Sequence, residues 1–150
     1  MEIAIGSDHA GVQLKKELMR VLAEEGYQPV DCGAYTEDAV DYPDIAEIVA
    51  STVLDKKIQG ILVCGTGIGI SIAANKIPGI RAALCHDIFA ARLAREHNDA
   101  NILAMGARLI GGGLAAEIVK TFINTDFSAG RHKRRVEKIT ALENKYRERV

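Results

Sequence analysis

Short apolar runs and longer amphipathic stretches take turns along this chain. The runs Glu2–Ser7, Gln28–Cys32, Gly60–Cys64, Ile80–Cys85 and Asn101–Met105 read as five strands. Between them the apolar spacing changes to that of a helix. Ala10–Glu25 carries Val12, Leu14, Leu18, Val21 and Leu22 on one face, and Gly26 stops it. Gly33–Tyr42 is a polar loop. Pro43 opens a helix to about Asp55 whose apolar face is Ile45, Ile48, Val49 and Val53. Thr66–Asn75 reads as a third helix, and Pro78-Gly79 turns the chain into the fourth strand. A helix capped by Asp87 reaches His97, another covers Gly111–Asn124, and a polar helix spans about Lys133–Arg149.

Strand and helix alternating throughout predict an α/β fold. The expected form is a three-layer α/β/α, Rossmann-like sandwich around a five-stranded parallel sheet, with a C-terminal helix added. No repeat, low-complexity tract or linker breaks the chain, so residues 1–150 read as a single domain, with a basic tail and helix over about 128–150. At 48% hydrophobic content the 150 residues can bury a substantial core. No apolar run reaches the roughly 18 residues of a membrane span. The start, Met1-Glu2-Ile3-Ala4-Ile5, lacks the basic region and cleavage site of a signal peptide. Three cysteines, Cys32, Cys64 and Cys85, cannot all pair with one another, which points to a reducing cytoplasm.

The net charge of −1 hides an asymmetry. Residues 1–127 hold 11 Lys and Arg against 17 Asp and Glu, whereas residues 128–150 hold 8 against 3. A basic tail on an acidic body suits a local anion site or a subunit contact. It does not suit a surface that coats nucleic acid, and with no Trp and 5% aromatics there is no base-stacking platform.

In parallel sheets ligands bind beyond the carboxyl ends of the strands. The polar residues there are Ser7-Asp8-His9, Cys64-Gly65-Thr66, His86-Asp87 and Gly106-Ala107-Arg108, so most of the chemistry is expected on one edge. The most informative of these is Cys64-Gly65-Thr66-Gly67-Ile68-Gly69, a strand, a glycine loop and a helix start in succession. The glycines let backbone N–H groups approach a ligand, and the helix N-terminus favours negative charge. A thiol at that point sits where a thiolate is stabilised. No Gly-Lys-Ser/Thr follows, so this is not a nucleotide phosphate loop.

Asp8-His9 reads either as a helix cap or as a pair for proton transfer and anion binding. His97-Asn98-Asp99 reads either as a helix C-terminal turn or as a proton mover beside an oxyanion donor. Arg131 and Arg135, four apart, share one face if helical and suit a phosphate dianion, or else belong to a solvated face or a nucleic-acid patch. Cys32 and Cys85 lack a glycine loop and read as structural. No His or Cys spacing fits a metal site, so neither metal nor cofactor is expected.

Together, Gly6-Ser7-Asp8-His9-Ala10-Gly11, Asp41-Tyr42-Pro43, Cys64 through Ser71, Ala73-Ala74-Asn75-Lys76, His97-Asn98-Asp99 and Gly130-Arg131-His132 resemble the ribose-5-phosphate isomerase B family over essentially the whole chain. That family also takes in galactose-6-phosphate and allose-6-phosphate isomerases. The resemblance implies a metal-independent interconversion of ribose 5-phosphate and ribulose 5-phosphate in the pentose phosphate pathway. It implies Cys64 as the base moving a proton between carbons 1 and 2, with Asp8, Thr66 and His97 assisting ring opening and proton shuttling. Asn98 and the loop N–H groups of Gly65, Thr66, Gly67, Ile68 and Gly69 would hold the enediolate, and His9, Arg131 and Arg135 the phosphate. One branch of the family replaces the cysteine with glycine and places a glutamate where this chain has Ile70, so this chain falls in the cysteine branch. The resemblance further implies a homodimer or tetramer with sites shared between subunits. The alternatives are a six-carbon sugar-phosphate isomerase, a non-catalytic sugar-phosphate binding module, and a nucleic-acid binder using the basic tail.

Overall fold

The computed structural model describes residues 1–147 and Arg149. Five parallel strands, β1 (Glu2–Ser7), β2 (Gln28–Asp31), β3 (Gln59–Cys64), β4 (Ala82–Leu84) and β5 (Ile102–Gly106), form one sheet in the order β2-β1-β3-β5-β4. Six helices accompany them: α1 (Val12–Glu24), α2 (Tyr42–Lys56), α3 (Ile68–Ala74), α4 (Ile88–Asn98), α5 (Gly112–Ile123) and α6 (Arg131–Arg147). The chain moves outward from β1 to β2 and the opposite way from β2 to β3. Right-handed crossovers therefore put α1 and α2 on opposite faces.

The core divides accordingly. On one face Ile3, Ile5, Ile61, Val63, Leu103 and Met105 pack against α1, α4 and α5 through Leu18, Leu22, Ala91, Ile118 and Phe122. On the other, Ala4, Leu62, Cys64 and Ala104 pack against α2 and α3 through Val49, Val53 and Ile70. Strands covered on both faces read as continuous apolar runs, which is why Gly-Ile-Leu-Val-Cys and Ile-Leu-Ala-Met were legible as strands.

Several boundaries differ from the expectation. The first helix is preceded by a separate 3₁₀ turn, His9–Gly11, because Asp8 accepts the Ala10 N–H at 3.0 Å and tightens the entry. The fourth strand shrinks from Ile80–Cys85 to Ala82–Leu84. It lies at the sheet edge, paired only with β5, and the Arg81 N–H is taken by the Asn101 side chain. The third helix starts at Ile68, since Gly67 is left-handed (φ 76°) and Thr66 belongs to the loop. The last helix begins at Arg131, after Ala129 and Gly130, both at φ 53°. Its expected end at Arg149 runs past Glu148, which lies outside the described residues. Ile48, expected in the core, is 46% exposed; α2 buries Ile45, Ala46, Val49, Ala50 and Val53 instead.

One buried charge ties α1 to the sheet edge. Lys15, on the expected apolar helix, is 1% exposed. Its Nζ donates to Asp31 Oδ1 at 2.6 Å and to the Ala34 carbonyl at 2.5 Å, with the Tyr35 ring 5.2 Å away. The same loop pairs with the end of β1, the Ser7 N–H donating to Gly33 and the Ala34 N–H to Ser7. Removing one partner of a buried pair strands the other, at a cost of about 3–5 kcal/mol. Asp31 keeps some contact with water, its side chain being 29% exposed, so the low end applies. Lys15→Met is expected to lower the unfolding free energy in a denaturant titration by about 3 kcal/mol. A loss below about 1 kcal/mol, the worth of a surface pair, would contradict the burial of this charge.

Candidate active site

The order β2-β1-β3 makes the gap between β1 and β3 the point where the chain's direction of travel reverses, the usual ligand crevice of such sheets. Ser7 lies opposite Val63 in the register, so Asp8 emerges beside Cys64. The Asp8 N–H donates to the Val63 carbonyl at 3.1 Å. Asp8 and Cys64 are both buried, at 7% and 4% exposure.

Cys64 ends β3 with its sulfur under the glycine loop, where the Gly67 N–H donates to Sγ at 3.1 Å. Gly67 is required twice over. Its φ of 76° is unfavourable for other residues, and a Cβ there would lie 2.7 Å from the Met105 carbonyl carbon. Thr66 is exposed, and its hydroxyl accepts the Ile68 N–H at 3.2 Å, fixing the first turn of α3. The ring of His9 is oriented by the far loop, the Val40 N–H donating to Nδ1 at 3.2 Å. That leaves Nε2 as the nitrogen that carries the proton in the neutral ring and can donate to a ligand. Asp8, His9, Val40, Asp41, Tyr42, Pro43 and Asp44 line a small recess of about 560 Å³ here.

Arg108 also reaches this edge. Its N–H donates to the Gly65 carbonyl at 3.0 Å, and a methyl group placed on Gly65 would lie 3.4 Å from the guanidinium. The sequence marked Arg108 only as a polar residue after the last strand. Its neighbour in space, Gly65, lies 43 positions away, a pairing that only the β3–β5 register reveals. His86, at the same edge, has a structural task, its Nε2 accepting the Gly106 N–H at 3.0 Å.

The remaining candidates are elsewhere. α4 leaves the carboxyl end of β4 and returns antiparallel, so His97 and Asn98 lie at the amino-end edge of the sheet, beside the start of β5. With 11 residues, α4 spans about 16 Å. Arg131 and Arg135 are with them: the His132 ring stacks on His97, centroids 4.1 Å apart and planes 12° from parallel. The residues expected on the carboxyl edge, Asp8, His9 and Cys64 through Gly69, are there, whereas His97, Asn98, Arg131 and Arg135, for which spacing set no edge, lie at the other. The two arginines are exposed, as is Asn98, whose side chain makes no hydrogen bond among the described residues. Asn98 lines a cleft of about 870 Å³ between α6 and the α3–β4 connection, together with Lys76, Arg81, Ile139 and Tyr146.

Desolvation, with the positive charges of His97, Arg131 and Arg135 added, holds the His132 imidazole below the ordinary histidine range; Glu96 opposes the shift. Burial pushes the Cys85 thiol up to about 11 and the Cys32 thiol up as well, in keeping with structural roles for both. Among the described residues no three His, Cys, Asp or Glu side chains converge as a metal site, and no helix is long and apolar enough to cross a membrane.

Residues 3–139 match the family model described as Ribose/Galactose Isomerase. The chain is 46% identical to ribose-5-phosphate isomerase B of Escherichia coli, over 96% of this chain and 97% of that one. It is 50% identical to a putative sugar phosphate isomerase of Bacillus subtilis, over 97% and 99%. Among solved structures it is similar to ribose-5-phosphate isomerase B of Clostridium thermocellum, with a TM-score of 0.95, 52% identity and coverage of 97% and 99%. The type B ribose 5-phosphate isomerase of Trypanosoma cruzi gives 0.93 and 47%, over 97% and 100%. A family model spanning nearly the whole chain, relatives near 50% identity and a superposable sheet agree: this chain belongs to the ribose/galactose isomerase family.

Proposed function

We propose that this chain interconverts ribose 5-phosphate and ribulose 5-phosphate through an enediolate, at a site built from two copies of itself. The observation that carries the reading is Cys64, its sulfur facing the Gly67 N–H and Asp8 emerging on the adjacent strand. A proton beside a carbonyl is weakly acidic, so a base alone is not enough. The oxygen that gains charge needs donors already in place. The loop N–H groups between Gly65 and Gly69 supply them at one edge, apart from those of Gly67 and Ile68, which Cys64 Sγ and the Thr66 hydroxyl already take, and the unpaired amide of Asn98 supplies another from a second copy.

In this scheme Asp8, Thr66 and the second copy's His97 open the sugar ring. Cys64 takes the proton from carbon 2 of the aldose and returns it to carbon 1, while the hydroxyl proton on oxygen 2 is passed to oxygen 1 by the same Asp8, Thr66 and His97 set, so nothing is gained or lost overall and no metal is needed. The Nε2–H of His9 and the guanidiniums of Arg131 and Arg135 hold the phosphate; Arg108 adds a positive charge beside Gly65. Holding the remote phosphate converts binding energy into alignment of the reacting carbons.

Two observations support self-association. α6 buries no side chain and leaves Ile139, Leu142 and Tyr146 exposed, and α2 and α3, which pack on each other, expose Ile48, Ile68 and Ile72. Three buried free thiols fit a cytoplasmic protein. Because the family model covers galactose as well as ribose isomerases, six-carbon sugar phosphates belong in the same assay.

Purified protein is expected to isomerise ribose 5-phosphate with EDTA present. Cys64→Ala should lower kcat by about 10²–10⁴-fold while the sugar phosphate still binds. Arg131→Ala and Arg135→Ala should each weaken substrate affinity by roughly ten- to hundredfold, the loss of about 1.5–3 kcal/mol per charge-assisted hydrogen bond. A Cys64→Ala enzyme within about tenfold of wild type would remove the thiol as the base.

The His132 ring gives a test by pH. Its affinity for a proton is lowered in the folded chain, so protons favour the unfolded one. Stability from this ring is present above the ordinary histidine pKa and is lost as pH falls below about 6.5. Followed by NMR, His132 should titrate below about 6.5. Arg135→Ala should move the midpoint upward. A midpoint at or above the ordinary value would contradict the crowded, positively charged setting.

A further inference from the structure

Two buried or half-buried guanidiniums converge on the turn that follows α4. Arg81, just before β4, donates from Nε to the Asn98 carbonyl at 3.0 Å and to the Asp99 carbonyl at 3.1 Å, and from Nη2 to the Asp99 carbonyl at 2.8 Å. Its Nη2 also lies 3.4 Å from Asp99 Oδ2. Arg95, inside α4 and 8% exposed, donates from Nη1 to Asp99 Oδ1 at 2.9 Å and to the Ala100 carbonyl at 2.6 Å. Its Nε donates to Thr125 at 3.1 Å. Three successive carbonyls at a helix C-terminus, those of Asn98, Asp99 and Ala100, therefore each receive a guanidinium N–H. Asp99 itself is left-handed (φ 45°), with its carboxylate held between the two cations.

This exceeds what a helix end needs. Water or a single basic side chain satisfies most such carbonyls. Here the grip centres on the peptide unit joining Asn98 to Asp99, and the Asn98 side chain beyond it is unpaired and faces the cleft. A side chain that must meet a developing charge works only if its backbone is already fixed. We infer that Arg81 and Asp99 are positioning residues, clamping the end of α4 so that the Asn98 amide is pre-aimed at the reacting oxygen in the neighbouring copy's site. The inference rests on the role proposed for Asn98.

Because Arg81 touches the backbone of Asn98 and no part of the proposed phosphate site, the clamp acts on turnover rather than on affinity. Losing an oxyanion donor outright costs about 10²–10³-fold, so mis-aiming it through Arg81→Met should lower kcat by about tenfold or more. KM and inhibition by inorganic phosphate should stay within about twofold, the phosphate contacts being untouched. Asp99→Asn keeps a residue that tolerates the left-handed turn while removing the charge, and should give a smaller loss of the same kind.

The deciding experiment repeats both substitutions in an Asn98→Ala background. If the clamp works through Asn98, Arg81→Met and Asp99→Asn cost little further kcat there, within about twofold, because the group they aim is gone. The same fold-loss in both backgrounds, or an effect on KM alone, would overturn the clamp. Should Arg81→Met fail to fold, the Asp99→Asn pair decides by the same criterion. An Asn98→Ala enzyme as active as wild type would instead sink the role of Asn98, a failure of the proposed mechanism that is distinguishable from failure of the clamp.

Discussion

In a parallel sheet every strand ends at one edge, and every crossover helix ends at the other. That constraint governs the chemistry of this chain. Cys64 and its glycine loop follow a strand; His97 and Asn98 close a helix. No local rearrangement brings them together, because the roughly 16 Å length of α4 stands between the two edges. One edge has the buried Cys64 thiol, backbone donors and Asp8-His9, but few cations. The other has an unpaired amide, stacked imidazoles and a basic helix with no buried side chain. Each edge lacks what the other has, and we read them as two halves of a site that pairing of two chains completes.

Each half is held by its own polar anchor. At the carboxyl edge, Lys15 fastens the 31–35 loop to α1, and that loop is hydrogen-bonded to the end of β1 directly before Asp8. The chain continues to Val40, whose N–H orients His9. At the amino edge, Arg81 and Arg95 grip the Asn98–Ala100 turn. Ion pairs of this kind are poor sources of net stability, since desolvation offsets most of the attraction. Their geometric value is greater: Ser7, hydrogen-bonded to Gly33 and Ala34, directly precedes Asp8, and Asn98, whose carbonyl Arg81 holds, directly follows His97.

Much of this was legible from residues alone, and for identifiable reasons. Strands buried on both faces advertise themselves as apolar runs, and Asp87, Pro43 and Gly67 act through local backbone chemistry, so β3, the start of α2 and the glycine loop fall close to where spacing puts them. What escaped depends on contacts between distant segments. Ile48 fits the apolar period of α2 but lies beyond the part the sheet covers. Lys15 reads as a solvated charge because nothing local shows the acceptors waiting at Asp31 and Ala34. Arg108 needed the β3–β5 register. The separation of His97 from Cys64 was within reach, since a strand–helix–strand pattern already sends every helix C-terminus to the amino edge. The family resemblance implies a shared site in words; the two-edge layout of the sheet is the geometric reason for proposing one.

Mixing two defective chains tests this most directly. Cys64→Ala removes the carboxyl-edge half of a site and Asn98→Ala weakens the amino-edge half. If a site takes one half from each of two copies, random re-pairing of equal amounts makes half the pairs mixed. Each mixed pair holds one site with both halves intact, so activity should recover to about a quarter of wild type. Activity that stays at the average of the two variants alone, with subunit exchange verified by mass spectrometry, would contradict a site shared between chains.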